Sequence, residues 1–378
     1  MTQVTFYPIG NADTSLVELN DGRRMLIDFA DTKDRNVKNK DKKCDLPKLL
    51  REDLEGSDFD SYHIVAFTHL DDDHCRKAPE FFWLEHAVQY QSKDRKKIDT
   101  LWVPAAAITE EGMKNDGRVI RQEARHRLKK GKGIKVFSRP ERLKDWLEDN
   151  GLTIEDRKDC FVDAGQLVPE LTIDDDKVEV FVHSPHATRT DQNGVEDRNG
   201  DSLVFQMRFE EGGYHTDVLF AADVPHNVLS EIVDITKNKK NDARLHWNVF
   251  KLPHHCSYLS LSDTKGTDKT TPVHQVKWLF EDQGESGGYV VSSSKPIPAK
   301  GSAEDDDVQP PHRQAANYYK QDVVNKNHLL VTMEQPNITN PKPIVLEIGR
   351  RGAALKAFGA PAAAMLTGGA APRAGNEN

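Results

Sequence analysis

The chain has 378 residues, a formal net charge of −9 and 37% hydrophobic content. With a mean hydropathy of −0.68 and no run approaching about 18 apolar residues, it is not expected to cross a membrane. Its four cysteines lack short paired spacing, which argues against a disulfide framework and fits a reducing, cytoplasmic setting. The acidic pI near 5.9 does not advertise nucleic-acid binding for the chain as a whole.

In chain order, residues 1–30 alternate as a β-hairpin turning at Asn20-Asp21-Gly22. A Lys-rich stretch from Lys33 to Lys43 follows and reads as a flexible insertion, then a short helix over 46–54 begins near Asp45. A strand over 62–68 runs into Phe67-Thr68-His69-Leu70-Asp71-Asp72-Asp73-His74-Cys75. Two imidazoles and up to three carboxylates on one loop are costly unless a cation neutralises them. Mixed nitrogen and oxygen donors suit Zn²⁺, Mn²⁺ or Fe rather than Ca²⁺. The alternative is a solvated acidic turn between two surface histidines.

Apolar spacing predicts a helix from Ala78 to Tyr90, and Asp99 to Val103 reads as a strand. A basic insertion occupies about 111–145: between Lys114 and Lys144 there are twelve Lys/Arg and three Asp/Glu. On a helix, Arg118, Arg121, Arg125, Lys129 and Lys130 would form either a phosphate-backbone platform or a solvated face. A strand at Ile134–Phe137 and a helix from Pro140 to Asn150 come next. Strands then follow at 178–183, 202–209 and 216–222, the last ending at Asp223. A helix from Pro225 to Asp234 precedes a strand that ends in His254-His255-Cys256. The late segment predicts a strand at 288–292, a helix from Arg313 to Val324, and strands at 328–333 and 343–348. Residues 300–311 read as a mobile loop. Three strand ends with ligand-type residues are hard to dismiss, because strand-end loops are where a rigid sheet presents chemistry.

The pattern resembles a family. His69-x-Asp71-x-Asp73-His74 is similar to the H-x-H-x-D-H signature of metallo-β-lactamase-fold hydrolases with Asp in place of the second His, a variant similar to the hydrolase domain of ComEC-type competence proteins. Val4 to Ser15 resembles that family's opening strand and "VGQGDS" turn, and Met25-Leu26-Ile27-Asp28 its "LIDTG" strand. Asn199 to Val204 resembles "NxxSLV", Ala222-Asp223 "LLTGD", Lys251 to Ser257 "LKVPHHGS", and Pro311-His312 a late histidine motif. The resemblance implies an α/β fold, an αββα sandwich of the metallo-β-lactamase type over 1–351. It also implies two divalent metal ions, Zn or Mn. His69 and Asp71 would hold one, Asp73 and His74 the second, with Asp223 bridging and His254 or His255 completing the set. Asp73 would orient a metal-activated water, and a protonated His312 would assist the leaving group. For the third metal motif His186 is the candidate, beside His183. Ala222, Cys75 and Cys256 stand where the family carries Gly. The two cysteines read as small buried hydrophobes or, alternatively, as a redox-sensitive pair.

The expected activity is a phosphodiesterase or nuclease acting on nucleic acid or a nucleotide. The alternatives are hydrolysis of a small ester, lactone or thioester, or a catalytically degenerate binding protein of the same fold. Residues 352–378, rich in Ala, Gly and Pro, cannot bury enough apolar surface to offset ordering entropy and read as a disordered tail.

Overall fold

The computed structural model describes residues 1–37, 40–188 and 197–358. Its strands form two sheets. The first has nine strands in the order β15-β14-β1-β2-β3-β4-β5-β6-β7, the second six in the order β13-β12-β11-β10-β9-β8. In the first sheet β1 (Gln3–Phe6), β2 (Ser15–Glu18) and β3 (Arg24–Ile27) run antiparallel. From β3, the strands β4 (Ser61–Ala66), β5 (Lys97–Pro104), β6 (Ile134–Phe137) and β7 (Phe161–Val162) continue in parallel. In the second sheet β8 (Val178–Ser184), β9 (Val204–Glu211) and β10 (Tyr214–Phe220) are antiparallel. Here β10, β11 (Trp247–Lys251), β12 (Gly284–Ser292) and β13 (Leu329–Val331) are parallel. A hairpin of β14 (Ile344–Gly349) and β15 (Gly352–Leu355) joins β1.

Successive strand residues point to opposite faces, and both sheets are buried on both faces. Met25, Ile27, Ile64 and Trp102 face Phe205, Met207, Val218, Phe220 and Val249 across the sandwich. Their neighbours Leu26, Val65 and Leu101 point outward. They pack on α1 (Leu46–Glu55), α3 (Ala78–Phe81), α5 (Asn115–Lys130) and α6 (Glu141–Asp149). Leu219, Phe250 and Val290 do the same under α8 (His226–Asn238), α9 (His274–Glu281) and α10 (Arg313–Tyr318). Two shorter helices lie beside the first sheet, α2 (Asp72–Cys75) and α4 (Ala106–Thr109), and α7 (Ile173–Asp176) precedes β8. Helix, sheet, sheet, helix is the expected αββα sandwich.

Three expectations change. The helix expected over Ala78–Tyr90 stops at Phe81. Phe81, Phe82 and Leu84 are all buried in one core, which no single helical stripe achieves, and Phe82 instead bridges Lys96 as extended chain. The stretch 300–311 is anchored: Asp305 accepts from Arg313 Nε at 2.9 Å and from the Gly301 N–H at 3.0 Å. The sheet extends into the segment expected as tail, since Gly352–Leu355 pairs with β14; residues 359–378 lie outside the described residues.

Candidate metal centre

The His69–His74 loop, Asp223 and His255 converge at the carboxyl ends of parallel strands from both sheets, where open α/β sheets place their ligands. The loop after β4 carries His69 to His74, Asp223 follows β10, and His255 follows β11. Four donor atoms, one each from Asp13, His74, Asp223 and His255, lie within 4.8 Å of one another, and all four residues are buried. His74 Nε2 is 3.4 Å from Asp223 and 3.7 Å from Asp13. His255 Nε2 is 3.1 Å from Asp73 and 3.5 Å from Asp223.

Both inner imidazoles are aimed by their far nitrogens. His74 Nδ1 is 2.9 Å from Asp28 Oδ2, whose other oxygen accepts the Thr68 N–H at 2.7 Å. His255 Nδ1 donates to the Ser293 carbonyl at 2.8 Å. This is the outer-shell pattern that fixes a metal-binding histidine with Nε2 facing inward. Asp13 sits on the turn between β1 and β2, and its N–H donates to the Asp73 carbonyl at 3.0 Å. Lys251 Nζ, fully buried, makes an ion pair with Asp13.

Backbone strain concentrates here. His254, His255 and Cys256 have φ of 47°, 52° and 67°, with Ala222 at 44° and Asp28 at 57°. Non-glycine residues rarely adopt such values, at a cost of about 1–3 kcal/mol each that functional sites tolerate. Ala222 and Cys256 occupy two of the positions where the resembled family carries Gly, and their left-handed backbone supplies the reason.

The electrostatics match a cation site. Burial works against a charge on His74, yet the carboxylates of Asp223 and Asp28 raise its pKa well above the ordinary value. His255 is raised in the same way, against burial, by Asp223 and Asp73. Burial would raise the Asp223 carboxyl, but His255 and His74 hold it well below the usual range. Burial lowers His69, with His74 adding to the effect. Nε2 of His69 and of His74, and one oxygen each of Asp13 and Asp223, are buried without a hydrogen-bond partner. Buried polar atoms of that kind call for an explanation, and a shared cation provides one. The donor set fits a divalent Zn²⁺ or Mn²⁺ ion.

The remaining expected residues fall into three groups. His69 and Asp71 flank the four-residue centre: the His69 and His74 rings are 3.9 Å apart, and His69 Nε2 lies 3.8 Å from Asp71 Oδ2. His254 is beside His255, ring centroids 6.1 Å apart. Arg198 Nη1 holds Asp71 Oδ1 at 2.5 Å, while Arg198 Nε grips both oxygens of Glu110 at 2.9 and 2.8 Å. His312 joins through its backbone, its N–H donating to the Cys256 carbonyl at 3.1 Å. Its Nδ1 accepts from the Tyr258 N–H at 3.3 Å, so Nε2 carries the proton. Burial, with Lys265 nearby, lowers its pKa to about 4. His312 is therefore neutral at pH 7, which corrects the protonated acid expected from the sequence.

His186 is not one of the four converging residues. It lines a separate cavity of about 300 Å³ with Ser138, Arg139 and Asp163. His183 donates to the Arg244 carbonyl at 2.8 Å. Burial lowers its pKa to about 4, as expected of a neutral structural histidine. Cys75 and Cys256 belong to different cores, on opposite outer faces of the sandwich, so they do not form a pair. Burial pushes the Cys256 thiol up to about 12.

The basic helix α5 uses much of its charge internally. Arg121 donates to the Glu110 carbonyl, and Arg125 to that of Ile108 at 2.7 Å. Lys129 lies over the Trp146 ring at 5.6 Å, and Lys130 pairs with Glu85 at 2.6 Å. Arg118 is exposed.

Sequence reasoning missed Asp13, Asp28, Lys251 and Arg198 as functional groups. The first three lie inside motifs that carried the resemblance, and Arg198 immediately precedes one.

No family model matches the chain, and no curated protein matches it. Among solved structures it is similar to unliganded yeast PDE1, at 12% identity over 88% of this chain and 96% of that one, TM-score 0.43. It is also similar to MEM-A1, a subclass B3 metallo-β-lactamase from a soil metagenome library, at 11% identity over 65% and 75%, TM-score 0.31. A third is Zn²⁺-bound PqqB from Methylobacterium extorquens, at 10% identity over 77% and 88%, TM-score 0.28.

Proposed function

We propose that this chain is a metal-dependent hydrolase that cleaves phosphodiesters in a nucleotide or nucleic acid. The observation that carries the reading is the convergence of Asp13, His74, Asp223 and His255 from both sheets, with buried donor atoms left unsatisfied. His69, Asp71, Asp73 and His254 extend the centre toward a second ion. Bound there, a divalent cation would supply a water of lowered pKa and a clamp for a phosphoryl oxygen.

The chain's own groups do the rest. Asp28 and the Ser293 carbonyl fix the inward nitrogens of His74 and His255. Asp73, whose side chain is 38% exposed and lies 3.1 Å from His255 Nε2, orients the attacking water. Neutral His312 accepts the Tyr258 N–H and its own N–H holds the Cys256 carbonyl, so it positions the loop that carries His255. The phosphodiester class rests on the ComEC-like motifs. The internal use of Arg121, Arg125 and Lys130 favours a short nucleotide over a long polynucleotide.

Side-by-side turnover tests the reading, using bis(p-nitrophenyl) phosphate, cyclic dinucleotides, DNA and RNA against a p-nitrophenyl ester, a lactone and a thioester, each with added Mn²⁺ or Zn²⁺. Phosphodiester cleavage that disappears with chelator supports the proposal. Turnover confined to the uncharged substrates moves the activity to ester or thioester hydrolysis. Inactivity on all of them, with metal bound, leaves a binding protein of this fold.

A further inference from the structure

The two halves of the centre are built differently. Asp13, His74, Asp223 and His255 are buried together. On the other side, Asp71 is 34% exposed, and one of its oxygens is held by Arg198. Arg198 is anchored from behind by Glu110, whose side chain is only 6% exposed. A guanidinium has five N–H donors in a fixed fork. Glu110 engages the Nε and Nη2 side, leaving Nη1 for Asp71. Arg198 can therefore release Asp71 without losing its anchor.

Charge points the same way. Where the resembled signature has a neutral histidine, Asp71 adds a negative charge, and Arg198 places a positive one directly against it. We infer that Arg198 competes with a cation for Asp71, so that the His69/Asp71 half loads more weakly than the buried half. The inference rests on the metal-dependent reading above. A phosphate-class anion at the mouth is a second claimant on Arg198 Nη1. By taking it, the anion frees Asp71 and tightens the second cation, and linkage makes that effect reciprocal.

The test uses the full chain stripped by chelator and titrated with Mn²⁺, with free ion counted by electron paramagnetic resonance. Wild type should bind about one equivalent tightly and a second more weakly. Arg198→Gln alone leaves Glu110 buried and unpaired, so Arg198→Gln/Glu110→Gln accompanies it as the folded control, checked by circular dichroism. The double variant should bind the second ion roughly twofold to fivefold tighter, about the worth of a partly exposed ion pair, with the first equivalent unchanged. Phenylphosphonate should tighten the second equivalent in wild type and do so less in the double variant. Asp71→Asn should lose only the second equivalent. A second equivalent that is unchanged or weaker in the double variant overturns the inference and makes Arg198 a strut that presents Asp71. A wild type with no tight equivalent overturns the metal-dependent reading itself.

Discussion

A buried imidazolium between carboxylates stands where a cation would stand, and that fixes how this centre responds to pH. His74 and His255 hold their protons above the ordinary range because Asp223, Asp28 and Asp73 outweigh burial. Asp223 and Asp73 are held low and stay ionised well into acid. An incoming cation must therefore displace protons from the histidines, so its affinity falls as pH drops. Each displaced proton contributes about one log unit of affinity per pH unit. Titration calorimetry at neutral pH in two buffers of different ionisation enthalpy should show one to two protons released per ion, and an affinity flat between about pH 6 and 8 would sink this account. Asp28→Asn removes the acceptor that aims His74 and should weaken cation binding by about 10–100-fold, read by equilibrium dialysis. His69, His74, Asp223 and His255 were legible because each closes or follows an apolar run with a ligand-type side chain. Asp13 and Lys251 were not: one lies in a turn among small residues and the other inside a strand, and only the meeting of the two sheets pairs them.

At the scale of elements, the loop bearing His69 to His74 is held between β4 and the start of α5. Gly117 touches that loop so closely that an added methyl would lie 2.7 Å from the Leu70 carbonyl oxygen. Gly117→Ala should force the helix and loop apart and lower stability by about 1–3 kcal/mol, the usual range for overpacking. It should weaken cation binding as well, though Gly117 is no ligand. Urea melts and Mn²⁺ titration of the same variant check this, and a normal cation affinity in a destabilised protein would separate the helix from the site. Most strands and long helices were legible from period and punctuation. The stretch after Ala78 was not, because its apolar spacing reflects Phe81 at the end of α3 and Phe82 and Leu84 beyond it entering one core. The basic count around α5 also misled, since composition cannot distinguish an arginine facing solvent from one donating to a carbonyl, as Arg125 does.

Over the whole molecule, the four converging residues divide evenly between the sheets, Asp13 and His74 from the first and Asp223 and His255 from the second. A bound cation ties the two halves of the sandwich together, so its stabilisation is global. At a free concentration one hundred times Kd it contributes about 2.7 kcal/mol. Thermal melts with and without chelator should shift as one transition, and amide exchange should slow in β4 and β11 together. Protection confined to the loops would show that the ion does not couple the sheets. The pairing of β1 with β14, Gln3 opposite Glu347, bears on how the protein is made. Once made, β1 keeps an unpaired edge until the chain separating Gln3 from Glu347 has followed it out of the ribosome. At about 5–20 residues per second that interval is roughly tens of seconds. During it Val4 and Phe6, later sealed in the core, stand on an edge open to other chains, so association competes with folding over that interval.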